Sequence, residues 1–553
     1  MPASLLRVVL LWMLASSVYC GDTQSTFFEE LKTHIVINTS RVVATLDETF
    51  LCATLDWWPS SKCNYGSCPW GHAGLLNLDL GNPLLERTLA GLAPFTIRIG
   101  GTLQDLVVYN VGDHISTEPC LPFVYNASAL FSYTGGCLPM EKWDAMNELF
   151  KKTGVSVAFG LNALYGRSKS SDYNVVGPWN PSNAANFIRY THDRAYPVTA
   201  WQLGNELLGA GIGKVVAPDL YAADVLKLRN VVDEIYQGDT TKPVIVAPDS
   251  FYDVGSKEIP KFLKSSGPNV VDVVTRHIYN LGAGVTETNE LIGRVLSRVY
   301  ADNEAAKYKS MQSVLQEYPQ TTAWVGEAGG AYNSGHHQVS DAFIFAFWYL
   351  DQLGMASRYN NQAFCRQSFI GGHYGLVDAN FNPNPDYYGA LLWRQFMGRG
   401  VLVVDVINGT NDVRAYAHCQ KDKKGGLTLL VLNYSNTTKH NLDVSLLGFS
   451  TPTELHNYRK LLADEECEAA SCHKNTEDSS GSLRLEYHMS PANGMITSQT
   501  VLLNGQPLQI TPTGQLPTLS PISVDSSSPI SLDPLTYAYV VIPNAHAPAC
   551  LVD

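Results

Sequence analysis

From about residue 50 to 390, short apolar and β-branched runs alternate with longer stretches in which apolar residues return every three or four positions. The short runs predict eight strands, at 50–56, 95–102, 155–161, 199–206, 243–249, 270–279, 322–328 and 366–371. Helical period is clearest at 220–236 and 341–354. Eight strands with helices between them predict an α/β fold, a parallel (β/α)8 TIM barrel. Beyond about residue 399 the pattern changes to short alternating runs, including 428–433, 500–503 and 536–542, divided by Gly, Pro, Ser and Asn turns. That pattern predicts a second, antiparallel β-sandwich domain. An early β run at 34–46 precedes the first barrel strand and is expected to join the second domain, while 516–534 reads as a surface loop. The predicted organisation is a joining segment at 21–48, the barrel at 49–396 and the sandwich at 397–553.

The first twenty residues read differently. Arg7 precedes the apolar run 8–18 (VVLLWMLASSV), and polar residues follow Cys20, which predicts a secretory signal over 1–20. No other run is long and apolar enough to span a bilayer. A secretory route makes the five N-x-[ST] sequons, at Asn38, Asn126, Asn408, Asn433 and Asn436, candidates for glycosylation. Loss of Cys20 would turn eleven cysteines into ten, an even number suited to disulfides. The close pairs Cys63/Cys68 and Cys467/Cys472 read as local disulfides or loop thiols, because no second Cys/His pair stands beside them at zinc spacing. The expected location is outside the cell, in a wall or apoplast, or in a vacuolar or lysosomal compartment.

Composition narrows the partners. The chain has 38 basic and 51 acidic residues, a formal charge of −13, and only 16% of positions are charged. Nucleic-acid and dedicated polyanion binders need basic clusters, so both classes are excluded.

Polar residues at the C-terminal ends of barrel strands face the active site. Two carboxylates end otherwise apolar strands, Glu206 in TAWQLGNE and Glu327 in TTAWVGE. Either glutamate alone could be a buried carboxylate paired with Arg or capping a helix. As a pair across the barrel mouth they suit a retaining glycosidase, whose nucleophile and acid/base stand about 5–5.5 Å apart. Asn205 beside Glu206 suits the sugar 2-hydroxyl.

WQLGNE at 201–206 and VGEAGGAY at 325–332 resemble the acid/base and nucleophile motifs of the heparanase and β-glucuronidase family, glycoside hydrolase family 79. RIGGTLQD at 98–105, RHIY at 276–279, GHYGLVD at 372–378, NPDY at 384–387 and YVVIPNAHAPAC at 539–550 match family blocks in order, most closely those of plant heparanase-like β-glucuronidases. The resemblance implies Glu206 as general acid/base, Glu327 as nucleophile, and no metal or other cofactor. It implies that Tyr332, with Asn333, Ser334 and Gly335, offers a tyrosine and backbone amides to a uronate carboxylate, although Asn333 and Ser334 depart from the family's glycine-rich run. Tyr279 and Tyr374 match tyrosines near the site, Asp56 and Thr102 match groups that contact sugar hydroxyls, and Cys419 and Cys550 match a disulfide pair. His277, His336 and His337 read as subsite or loop residues, since no third ligand stands at a fixed metal-binding spacing.

The chain has neither the long excised linker nor the basic clusters of the mammalian endo-acting enzyme. It is therefore expected to be an exo-β-glucuronidase that releases glucuronate, or its 4-O-methyl form, from glycans or glucuronide conjugates. The alternatives are an endo-acting heparanase-like enzyme, another retaining β-glycosidase of the clan, and a non-catalytic binding protein on the same fold. Both glutamates being present argues against the last. The expected partner is a carbohydrate or glucuronide, and the sequence assigns no oligomeric state.

Overall fold

The computed structural model describes residues 28–114, 119–169, 175–208, 212, 215–251, 257–407, 411–448, 454 and 482–551. The signal segment, sequon Asn408 and the pair Cys467/Cys472 lie outside them. Among the described residues no helix is long and apolar enough to cross a membrane.

Eight parallel strands close a barrel: β1 (Leu51–Asp56), β2 (Phe95–Gly100), β3 (Val155–Leu161), β4 (Val198–Leu203), β5 (Val244–Val246), β6 (Val273–Ile278), β7 (Thr322–Ala328) and β8 (Asn361–Arg366). Each pairs with its sequence neighbours, and β8 returns to β1. Parallel barrel strands are covered on both faces, which is why they read as nearly continuous apolar runs. Their two faces nevertheless differ. In β2, Phe95, Ile97 and Ile99 belong to the core shared with the surrounding helices, so alternation turns Arg98 to the lumen. In β6, Val274 and Ile278 face outward in the same way, which leaves Thr275 and His277 inside. Covering helices are amphipathic on the same logic: Pro218–Ile235 buries Tyr221, Ala222, Val225, Leu228 and Val232 along one face.

The eighth strand is shifted from its expected position. It ends at Arg366, and the run placed at 366–371 instead continues into the loop above it. Asn361 and Gln362 are polar yet buried and do not read as strand. Likewise the helix expected at 341–354 runs over Phe345–Arg358. All its residues before Arg358 are buried, because it lies between the barrel and the second sheet.

That second sheet has eleven strands and is mostly antiparallel. The early strand Glu29–Thr45 joins it, antiparallel to Met397–Ile407 and parallel to Thr438–Leu447. Alternation splits its strands between two cores: Leu427, Leu429 and Val431 pack into the sheet's own core, while Leu430 and Leu432 pack toward the barrel. The stretch expected as a surface loop contains two of its strands, Ile522–Asp525 and Ile530–Leu532; Ile530 and Leu532 are fully buried.

Four disulfides occur among the described residues. Cys419–Cys550 and the local Cys63–Cys68 form as expected, and Cys120–Cys137 ties a surface excursion after β2. Cys52–Cys365 was not expected from the sequence. It joins directly paired residues of β1 and β8 across 313 positions, at the seam where the barrel closes. Asn433 is removed as a glycosylation candidate: its side chain is fully buried, and its amide nitrogen donates to the carbonyls of Thr438, Leu532 and Asp533. Asn38 is also enclosed, whereas Asn126 and Asn436 are exposed.

Candidate active site

A cleft of about 400 Å³ opens at the C-terminal ends of the barrel strands. Of the residues singled out from the sequence, Asp56, Thr102, Asn205, Glu206, Tyr279, Glu327, Tyr332, Asn333 and Tyr374 line it. Gly335 does not. It sits behind the wall at φ +72°, where a Cβ would come within 2.5 Å of Ser340 Oγ and 3.0 Å of Tyr374 Cδ1, so its role is to allow a tight turn.

The two glutamates reach the cleft by different backbone devices. Glu327 lies in β7, where a register shift pairs Arg276 with Val325 but His277 with Glu327. The extra residue on β7 is Gly326, whose missing side chain leaves room for Asp249 and Thr275. Such a bulge re-aims the following side chain. Glu206 lies three residues past β4 in a left-handed conformation, φ +54°. That conformation costs on the order of 1–3 kcal/mol. It is held by the Glu206 N–H donating to Asp249 O at 2.7 Å.

Below the glutamates is a fully buried ionic layer. Arg98 Nη1 donates to Glu327 Oε2 at 2.7 Å, Nη2 donates to Asn205 Oδ1 at 2.7 Å and to Asp249 Oδ2, and Nε donates to Gln202 Oε1 at 3.2 Å. Tyr279 donates its hydroxyl to the other Glu327 oxygen. His277, expected to be a subsite or loop residue, is instead wholly enclosed. Its Nδ1 is 2.7 Å from Glu206 Oε1 and its Nε2 is 2.9 Å from Asp249 Oδ1. Burial pulls its pKa down, but the charges of Asp249 and Glu327 and the hydrogen bonds of Asp249 and Glu206 prevail and raise it to about 10. At neutral pH it is therefore an imidazolium with both nitrogens donating. Asp249 is held well below the ordinary carboxylate range: burial would raise it, but Arg98 and His277 prevail.

Two further carboxyls behave oppositely. Burial and then the charge of Glu327 push Asp56 up to about 7, against Arg98 and hydrogen bonds from Gln367 and Thr54. Burial raises Asp105 to about 7, although it accepts from the backbone N–H groups of Asn205 and Ala163.

One oxygen from each glutamate and one nitrogen of His277 lie within 4.8 Å of one another. Both nitrogens of His277 in this set are already engaged, by Glu206 Oε1 and Asp249 Oδ1. His337, Asp341 and His373 bring their ligand atoms equally close at the edge of the wall. There His337 Nδ1 is already 2.7 Å from Asp341 Oδ2. His336 is bonded to Gly284 O and to Thr288 Oγ1.

The rim is formed by two loops. Asn333 Nδ2 donates to Tyr65 OH at 2.7 Å, Ser334 Oγ donates to Asn64 Oδ1 at 2.8 Å, and Trp70 Nε1 donates to Ser334 Oγ at 3.0 Å. The Cys63–Cys68 disulfide ties the base of the loop bearing Asn64 and Tyr65. Sequence reasoning missed Arg98, Asp249 and Asp105. Strand alternation around Arg98 and His277 was an available signal, and so was the carboxylate ending the 243–249 run.

The Glycosyl hydrolase family 79, N-terminal domain model matches residues 32–354. Heparanase-like protein 3 of Arabidopsis thaliana is 44% identical over 99% of each chain. Baicalin-beta-D-glucuronidase of Scutellaria baicalensis is 37% identical over 93% of each chain. Among solved structures, a 4-O-alpha-L-rhamnosyl-beta-D-glucuronidase from Fusarium oxysporum 12S matches with TM-score 0.60 at 15% identity, over 92% of this chain and all of that one, a likeness of fold.

Proposed function

The chain belongs to glycosyl hydrolase family 79 and is a glycosidase, and from that premise we propose that it is a retaining, exo-acting β-glucuronidase. The observation that carries this reading is the pair of glutamates. Their oxygens approach within 4.8 Å, which suits double displacement and leaves no room for the water that an inverting enzyme holds between carboxyls about 6.5–9.5 Å apart. Glu327 is the nucleophile: Arg98 and Tyr279 fix its two oxygens for attack on the anomeric carbon. Glu206 gives its proton to the departing glycosidic oxygen. The C–O bond to the leaving group breaks as the ester to Glu327 forms, which consumes the Glu327 charge. Glu206, now a carboxylate beside the imidazolium of His277, then takes a proton from the water that cleaves the ester.

Glucuronate as the sugar is supported by the named activity of the Scutellaria relative. Exo action is supported by the hydrogen-bonded rim and by a cleft near the small end of the roughly 300–1,000 Å³ range of ligand sites. The mature protein is proposed to be secreted and to carry glycans at the exposed Asn126 and Asn436. The activity is tested by offering purified protein p-nitrophenyl β-glucuronide and heparan sulfate, with products identified by mass. Release of free glucuronate is expected; fragmentation of heparan sulfate without monosaccharide would overturn the exo reading.

A further inference from the structure

A glucuronate ring brings a carboxylate into a cleft that already holds three acidic side chains, Asp56, Glu206 and Glu327. Arg98 cannot neutralise it, because its guanidinium is fully enclosed and already donates to Glu327, Asp249, Asn205 and Gln202. Among the described residues lining the cleft, the one Lys or Arg is Lys62. Its Nζ stands 4.1 Å from the centroid of the Trp58 ring, also in the lining, and it has no ion-pair partner among the described residues. It is half-buried: burial lowers its pKa from the usual lysine value, and only the charge of Asp56 opposes this. A partly dehydrated ammonium over an aromatic face is poised to accept an anion, since the ring supplies attraction without neutralising the charge.

Its surroundings keep it there. Lys62 N donates to Pro59 O at 2.9 Å, and the next residue enters the Cys63–Cys68 disulfide. Asn333 and Ser334 on the opposite loop have committed their side chains to Tyr65 and Asn64, which leaves Lys62 as the charged donor facing the cleft.

We propose that Lys62 is a specificity-determining residue that pairs with the substrate's carboxylate and so selects uronides over neutral hexosides. This rests on the β-glucuronidase reading above and adds to it the group that recognises the acid. A charge-assisted hydrogen bond contributes enough to make its loss a change of roughly 10–100-fold.

The test measures competitive inhibition by D-glucuronate and by its neutral primary amide, alongside p-nitrophenyl β-glucuronide kinetics, in wild type, Lys62→Met and Lys62→Arg. The expected result is that Lys62→Met raises KM for the glucuronide roughly 10–100-fold with a much smaller change in kcat. Inhibition by glucuronate should weaken by the same factor while inhibition by the amide changes less than about 3-fold, and Lys62→Arg should recover most of the loss. Equal losses for acid and amide, or no loss for either, would overturn the role of Lys62. A wild-type protein that cleaves no glucuronide at all would instead overturn the parent reading, whatever Lys62 does.

Discussion

At the floor of the cleft, Arg98, Asp249 and His277 are wholly enclosed; Asp249 is bonded to both of the others, Arg98 to Glu327 and His277 to Glu206. At the rim, Tyr65, Tyr332 and Asn333 are exposed, and the two loops meet through neutral hydrogen bonds and one short disulfide loop. The floor comes from strands and strand ends, whose positions are over-determined by barrel pairing. The rim comes from loops whose mutual position depends on a few contacts. The difference assigns chemistry to the floor and choice of substrate to the rim, and substitutions should separate the two.

Breaking the floor should have the largest effect. Arg98→Met takes a buried cation from Glu327 and leaves Asp249 with His277 alone, a loss of about 3–5 kcal/mol in stability. With Glu327 no longer fixed, kcat should fall roughly 10³-fold, as read from steady-state kinetics and denaturant unfolding; a loss under 10-fold would show that the floor does not position the nucleophile. His277→Gln should have a smaller effect, roughly 10–100-fold in kcat, and a distinctive pH signature. The folded-state pKa of His277 is about 10, against about 6.5 for an unfolded histidine. Its contribution to stability is therefore complete below about pH 6.5 and is lost as pH rises toward 10. Wild-type unfolding free energy should decline across that window, and the His277→Gln profile should be flatter there. Loosening the rim should matter least for the chemistry. Cys63→Ser with Cys68→Ser should raise KM by roughly 3–10-fold and leave kcat within about 2-fold, because the loop that carries Lys62 loses its tether while the floor is untouched. A fall in kcat comparable to that of His277→Gln would erase the distinction between the two regions.

The same division explains what could be read in the sequence. Barrel strands were legible because burial on both faces writes an apolar run, and Glu206 and Glu327 were legible because each breaks such a run at its end. The floor was half-written: Arg98 interrupts FTIRIG and His277 interrupts VVTRHI, but Arg276 next to it points outward to Glu304, so only strand phase distinguishes the two. Strand β8 was misplaced because Asn361 and Gln362 are buried polar residues. At the rim, Tyr332, Asn333 and the Cys63/Cys68 pair were legible one by one, but the contact between the two loops was not. Tyr65 and Asn333 stand 268 positions apart, as Cys52 and Cys365 stand 313 apart, and neither spacing encodes the contact that folding makes.

The central claim is that Glu327 forms the glycosyl ester. Its most direct test is Glu327→Ala assayed on p-nitrophenyl β-glucuronide with and without sodium azide, the product's anomeric configuration being read by proton NMR. Turnover is expected to fall by roughly 10⁴-fold or more, on the order of losing a catalytic nucleophile, with rescue by azide giving the α-glucuronyl azide. Wild-type-like turnover without azide, or rescue that yields the β-azide, would contradict it.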